Sequence, residues 1–184
     1  MLAEWRMVKD PTRYVMFLRG INVGGHRKMP MADLRALITD VVGDPAPTTY
    51  VASGNAVFTS DIEADDLALN MQDAIVKRFG FEVPVKLMTQ SELADVLKAC
   101  PWPDADGKTL HAFFCFGDPQ IDSAEVDRWS SQSEEVVVKG RVVWLLTPNG
   151  FGKSKLAERL KLGTTATGRN LNTLKACEKL LNGG

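Results

Sequence analysis

The chain has 184 residues, of which 45% are hydrophobic and 24% charged, with a net charge of −1; it fits a globular domain or two small halves sharing a core and excludes a disordered chain. No stretch reaches the roughly 18 apolar residues of a membrane span, and MLAEWRMVKDPTR lacks the apolar centre of an export signal, so a cytoplasmic protein without a membrane partner is expected. Cys100, Cys115 and Cys177 show no CxxC spacing, which argues against a disulfide framework or a zinc site and for reduced, mostly buried thiols.

Residues 14–18 form an aromatic and β-branched run that stops at RGINVGGHRK, the pattern of a strand feeding a glycine loop. Pro30 suits a first helical position, and Leu34, Leu37, Ile38 and Val41 then recur at helical spacing. Residues 50–52 and 56–59 read as a hairpin reversing at Ser53-Gly54-Asn55. Ser60 with Glu63 reads as a capping box for a helix that carries Leu67, Met71, Ile75 and Phe79 and ends at Gly80. Residues 83–88 return as a strand, and Thr89 with Glu92 reads as a second capping box before a helix stopped by the PWP at 101–103. Cys100, beside that proline, is expected to be the more exposed thiol.

The second half repeats the order. Residues 110–116 are an apolar strand, Asp122 and Glu125 cap a short helix ending near Trp129, and residues 135–146 make a hairpin turning at Lys139-Gly140. Helices are expected over 153–162, with Leu156 and Leu160, and over 171–181, with Leu174, Cys177 and Leu181. Strand, helix, hairpin, helix thus occurs twice, with a closing strand visible only in the first copy. The expected class is α+β, a duplication of two ferredoxin-like (βαββαβ-type) subdomains, each a small antiparallel sheet with helices on one face. The expected layout is an N-terminal extension over 1–13, a first subdomain over 14–89, a connecting helix and loop over 90–108, and a second subdomain over 109–184.

The small net charge hides a segregation. Residues 139–184 hold nine lysines and arginines against two acids, whereas residues 101–135 hold eight acids against two basic residues. Arg19, Arg27, Lys28 and Arg35 form a smaller basic cluster near His26. Local fields of this kind, more than overall charge, attract anionic ligands.

Three polar motifs stand out. TPNGFGKSKL places Gly152-Lys153-Ser154 between a strand and a helix, as a phosphate loop would, but Thr147 stands where GxxxxGK(S/T) needs its first glycine, and Pro148 has no amide proton to give. An ordinary helix start is the alternative. In RGINVGG, Gly20, Gly24 and Gly25 permit a tight turn beside Arg19, Asn22, Arg27 and Lys28, without the spacing of a dinucleotide fingerprint. In TATGRNLNTL, Arg169 offers a planar charged fork for a carboxylate or phosphate, while Asn170 and Thr167 suit a plain N-cap. Catalytic and metal constellations are thin: the only histidines are His26 and His111, and His111 opens an apolar strand as a core or edge residue. No strand resembles the aromatic pattern of an RNA-recognition motif.

The segments YVMFLRGINVGGHRKMPMADLRALI, TYVASGNAVFTS and GFGKSKLAERL with TGRNLNTL together resemble the bacterial family catalogued as domain of unknown function 1697, over about residues 14–181. The resemblance implies a compact α+β protein of two similar subdomains and brings no catalytic residue. The family's polar positions fall here on Arg19, Asn22, Gly24, Gly25, Lys28, Pro30 and Met31, on Ser53, Gly54 and Asn55, and on Ser154, Lys155, Arg169, Asn170, Asn172 and Thr173. Gly168 and Leu171 depart from its pattern TARNWNTV, which has alanine and tryptophan there. The expected function is binding of an anionic, phosphate-bearing ligand, a nucleotide or nucleic acid, in a polar cleft between the subdomains, with no cofactor or metal. One alternative is a hydrolase or transferase using Lys28, Ser53, Ser154 or Lys155 on a phosphorylated or acyl substrate. The other is a protein-interaction module whose polar motifs are structural.

Overall fold

The computed structural model describes residues 7–183. The chain divides into two compact units, Met1–Ala94 with Ala176–Gly184, and Asp95–Lys175. In the first, β1 (Met7–Leu18), α1 (Met31–Val42), β2 (Thr48–Tyr50), β3 (Asn55–Ile62), α2 (Ala64–Phe79) and β4 (Val85–Thr89) form a four-stranded sheet in the order β2-β3-β1-β4. After α3 (Gln90–Lys98) come β5 (Leu110–Cys115), α4 (Ser123–Trp129), β6 (Glu135–Lys139), β7 (Val142–Leu146), α5 (Lys155–Arg159) and β8 (Ala166–Asn170), whose strands order as β6-β7-β5-β8, and then α6 (Leu171–Leu181). Every strand pair in both sheets is antiparallel. The protein is therefore α+β, with two similar sheet halves that fit a duplication.

The apolar run at residues 14–18 becomes the central strand of the first sheet because both of its faces are buried. Tyr14, Met16 and Leu18 form one core with Leu34, Leu37 and Ile38 of α1 and Leu67, Met71 and Ile75 of α2. Each such side chain, fully buried, contributes roughly 1.5–3 kcal/mol. Val15 and Phe17, on the opposite face, are just as buried.

Several local expectations change. β1 starts at Met7, with an irregularity between Met7 and Thr12, so residues 7–13 are strand rather than extension; residues 1–6 lie outside the described residues. Ser60 does not cap α2: it is buried in β3, its hydroxyl accepts from the Ile62 N–H at 3.1 Å, and the strand runs on to Ile62. Glu63 takes the N-cap position without a side-chain bond, and Asp65 and Asp66 complement the dipole from the first turn. The Thr89–Glu92 box does form, the Thr89 N–H donating to Glu92 Oε2 at 2.7 Å and the Glu92 N–H to Thr89 Oγ1 at 3.2 Å. The closing strand of the second copy also exists: it is β8, made from the polar run ATGRN. A Cβ on Gly168 would lie 2.8 Å from the Phe113 ring across the β5–β8 pair, which accounts for glycine where the family pattern carries alanine.

Candidate functional site

The chain leaves β1 at Leu18 and builds a small hairpin finger. Ile21 and Met29 are its buried roots, each 1% exposed, and the seven residues between them are all exposed. Asn22 donates its N–H to the Arg27 carbonyl at 3.2 Å, and His26 donates to Val23 at 3.0 Å around Gly24 and Gly25. Both glycines have positive φ, 58° and 80°, as a two-residue type I′ turn requires.

Asn22 holds the finger in place. Its Nδ2 donates to the Met29 carbonyl at 2.9 Å, its Oδ1 accepts from the Met29 N–H at 2.8 Å, and Nδ2 also donates to the Ala52 carbonyl at 2.8 Å. That last bond ties the finger to the β2–β3 reversal. The reversal is longer than expected, because Asn55 already pairs with Tyr50 as the first residue of β3, leaving residues 51–54 as the turn. Buried Asn55 braces it, donating to the Tyr50 carbonyl at 2.8 Å and to Ser53 Oγ at 3.0 Å. Leu18 donates to the Gly54 carbonyl at 2.9 Å, and a Cβ on Gly54 would fall 2.7 Å from Leu18 Cβ and 2.8 Å from Ile21 Cδ1. Two motifs separated in sequence thus form one locus.

Among the described residues, three non-glycines have left-handed backbone: Asn22 (φ 55°), Arg27 (φ 48°) and Val51 (φ 50°). All three lie here. For β-branched Val51 this is a true outlier, and strain of this kind collects at functional sites. The charge is one-sided as well: no acid occurs between Asp10 and Asp33 or between Asp44 and Asp61. Arg19, His26, Arg27 and Lys28 are exposed, and Arg27 and Lys28 make no ion pair among the described residues. Arg35 is tied to β2 by a 2.7 Å bond to Thr49 Oγ1.

Of the predicted site residues, Arg19, Asn22, Gly24, Gly25, Lys28, Ser53 and Asn55 therefore share this locus of the first unit. The other six occupy two places in the second unit, and the structure gives most of them internal partners. Ser154 caps α5, its hydroxyl accepting from Ala157 at 2.9 Å, with Lys155 exposed beside it. The loop amides of Gly150, Lys153 and Ser154 donate to the carbonyls of Thr147, Gly150 and Phe151 through a short 3₁₀ turn. No cradle of amides is left for a phosphate at those three positions, and this is an ordinary helix start. Arg169 is a buried strand residue, not a loop residue, and donates to Thr167 Oγ1 at 3.0 Å and to the Gly168 carbonyl at 2.7 Å. Asn170 caps α6 by accepting from the Thr173 N–H at 2.9 Å, and Asn172 donates its N–H to Gly107 at 3.4 Å.

Two features escaped the sequence reading. Trp129 lies under two guanidiniums, Arg128 at 5.0 Å and Arg159 at 5.4 Å, and donates to Glu125 at 2.9 Å. Arg159 lies thirty residues along the chain, so no local pattern announces the pairing. Val51 is the other, since propensity gives no reason to expect valine at positive φ. Cys100 is the most exposed of the three thiols, as expected, but at 8% it is still buried, and burial pushes its thiol pKa up. The His111 ring lies tilted against Phe151 with centroids 4.2 Å apart, its Nδ1 has no partner among the described residues, and burial lowers its pKa to about 4. Among the described residues no group of three or more His, Cys, Asp or Glu is placed to hold a metal, and no helix is long and apolar enough to cross a membrane.

An α+β chain of two like-ordered antiparallel sheets, with its glycine finger locked to an SGN turn, is the class defined so far. The chain belongs to the family described as Protein of unknown function (DUF1697), whose profile matches residues 12–144, finger and turn included. Among solved structures it is similar to a conserved bacterial protein from Streptococcus pneumoniae, at 24% identity and a TM-score of 0.73, over 94% of this chain and 99% of that one. That likeness speaks to fold. No curated protein matches the chain.

Proposed function

We propose that this protein binds a phosphate-bearing ligand, a nucleotide or a nucleic acid backbone, at the finger of residues 19–28 and its bracing turn. One observation carries the reading: the three left-handed non-glycine residues coincide with two acid-free segments bearing Arg19, Arg27 and Lys28. A strained, clasped loop presents its cations in one arrangement, and preorganised donors bind anions at lower entropic cost. The same reading takes each unit as ferredoxin-like, supported by the βαββαβ element order and the strand order β2-β3-β1-β4, and takes the protein as cytoplasmic. Calorimetric titration with inorganic pyrophosphate and with ATP tests it. Saturable binding should weaken at least about tenfold in an Arg27→Ala/Lys28→Ala variant, since a hydrogen bond to a charged group is worth roughly 1.5–3 kcal/mol. Equal affinity in wild type and variant overturns the reading. Exposed Val23 and Val51 favour a second one, an interaction module, under which the double variant changes protein capture and no phosphate affinity.

A further inference from the structure

We infer that β6 is a self-pairing edge, through which two copies of this chain join their second, four-stranded sheets into one continuous antiparallel sheet; this is independent of the finger and of its ligand. β6 ends the order β6-β7-β5-β8, and none of its residues, Glu-Val-Val-Val-Lys, is buried. Val138 is 44% exposed. Three consecutive β-branched residues suit a strand with a neighbour on each side, and native edges are normally blunted by a proline, a bulge or an inward charge. β6 has neither proline nor bulge, pairing with β7 in unbroken register from Glu135 to Lys139, and its two charges stand at its ends.

Backbone direction fixes how such an edge can pair. The Arg141 carbonyl accepts from the Cys115 N–H at 2.9 Å, so Arg141, Val143 and Leu145 turn their backbone groups toward β5. Val142, Trp144 and Leu146 therefore bond β6 through Lys139, Val137 and Glu135. The N–H and C=O groups of Val136 and Val138 face outward and have no partner among the described residues. A second β6 running antiparallel engages all of them in one register, with Val136 opposite Val138 of the partner subunit about a two-fold axis at Val137, each pair exchanging both backbone bonds. That register sets Glu135 opposite Lys139 of the partner subunit at both ends, in the closely spaced type of pair. Neither residue makes an ion pair in its own chain among the described residues. Sliding toward the turn would set Glu135 against Arg141, which already pairs with Asp118 at 2.8 Å, and sliding the other way would set it against Val137. Charge and hydrogen bonding thus select the same register. An unrelated extended peptide has no reason to carry both complements, whereas a second copy carries them by construction.

Sedimentation equilibrium of the full chain at rising concentration tests the inference. Two short edges bury less than the roughly 1,200 Å² at which stable interfaces begin, so the mass should move from monomer toward dimer only in the upper micromolar range and above. Glu135→Lys and Lys139→Glu each set like charges opposite one another at both ends and should weaken association about tenfold. The double variant restores opposite charges and should return it to the wild-type value. Val138→Pro removes an outward N–H while leaving the bonds to β7, as an edge strand tolerates, and should abolish the dimer. A chain that stays monomeric throughout, a dimer that survives Val138→Pro, or a double variant as weak as the single ones overturns the self-pairing. A mass that climbs past the dimer overturns it too, since a two-fold pairing closes on itself. Should Val138→Pro lower Tm, the charge variants, at exposed positions, still decide.

Discussion

Asn22 and Val51 show how a short loop acquires one shape. Asn22 places both ends of its amide on Met29 and reaches Ala52 as well, so its left-handed φ is offset by three hydrogen bonds. Val51 has no such compensation among the described residues: it is 52% exposed, and left-handed backbone costs an L-residue about 1–2 kcal/mol. Val51→Asn, a residue that tolerates this region, should therefore raise stability by about 1 kcal/mol, a Tm increase of roughly 2–4 °C for a chain of this size. A Tm that falls would mean that the valine side chain packs more than its exposure indicates. His111 supplies a second prediction. Burial holds its folded-state pKa at about 4, below the ordinary 6.5, so between those values the unfolded chain carries a proton that the folded one lacks. Stability from this group is complete above about pH 6.5 and is lost as pH falls toward 4, by up to about 3 kcal/mol. Thermal unfolding from pH 7 to 4.5 should show that decline, and His111→Phe, beside Phe151 and Phe113, should reduce it. An unchanged slope in the variant would assign the decline to other groups.

At the scale of elements, the start of α5 separates a helix cap from an anion site. Ser154→Ala removes the bond to Ala157 and should cost about 1 kcal/mol in denaturant unfolding, while pyrophosphate affinity stays as in the wild type. A drop in affinity without loss of stability would restore the phosphate loop. The elements legible in the sequence were those that bury apolar residues: β1 and β5 are apolar runs, and α1 and α2 follow helical hydrophobic periodicity. Where burial falls on polar residues, periodicity fails. β8 buries Thr167 and Arg169 and pairs with β5 on one side only, so ATGRN reads as a loop until its partner strand is in place. Ser60 misleads for the same reason, a buried hydroxyl at a strand end standing three residues before a glutamate. The finger was legible as a glycine loop with cations. Its clasp to the SGN turn was not, because the Asn22–Ala52 bond spans thirty residues.

At the scale of the whole molecule, the two units repeat one strand order, and yet they are not independent stretches of sequence. Ala176–Gly184 clusters with the first unit although it follows the second. Within that unit Arg13 donates to the Leu180 carbonyl at 3.0 Å, Gln90 Nε2 donates to Asn182 Oδ1 at 2.6 Å, and Cys177 and Leu181 are buried. Ending the chain after Lys175 removes two buried apolar side chains, worth roughly 1.5–3 kcal/mol for a leucine and less for a cysteine, together with those bonds. Hydrogen exchange should then show protection falling in β1 and β4 of the first sheet while β5 and β7 of the second keep theirs. If β1 retains full protection, the last nine residues are an appendage. If both sheets lose protection together, the two units unfold as one cooperative body, and the stability of the finger's scaffold then depends on both halves of the chain.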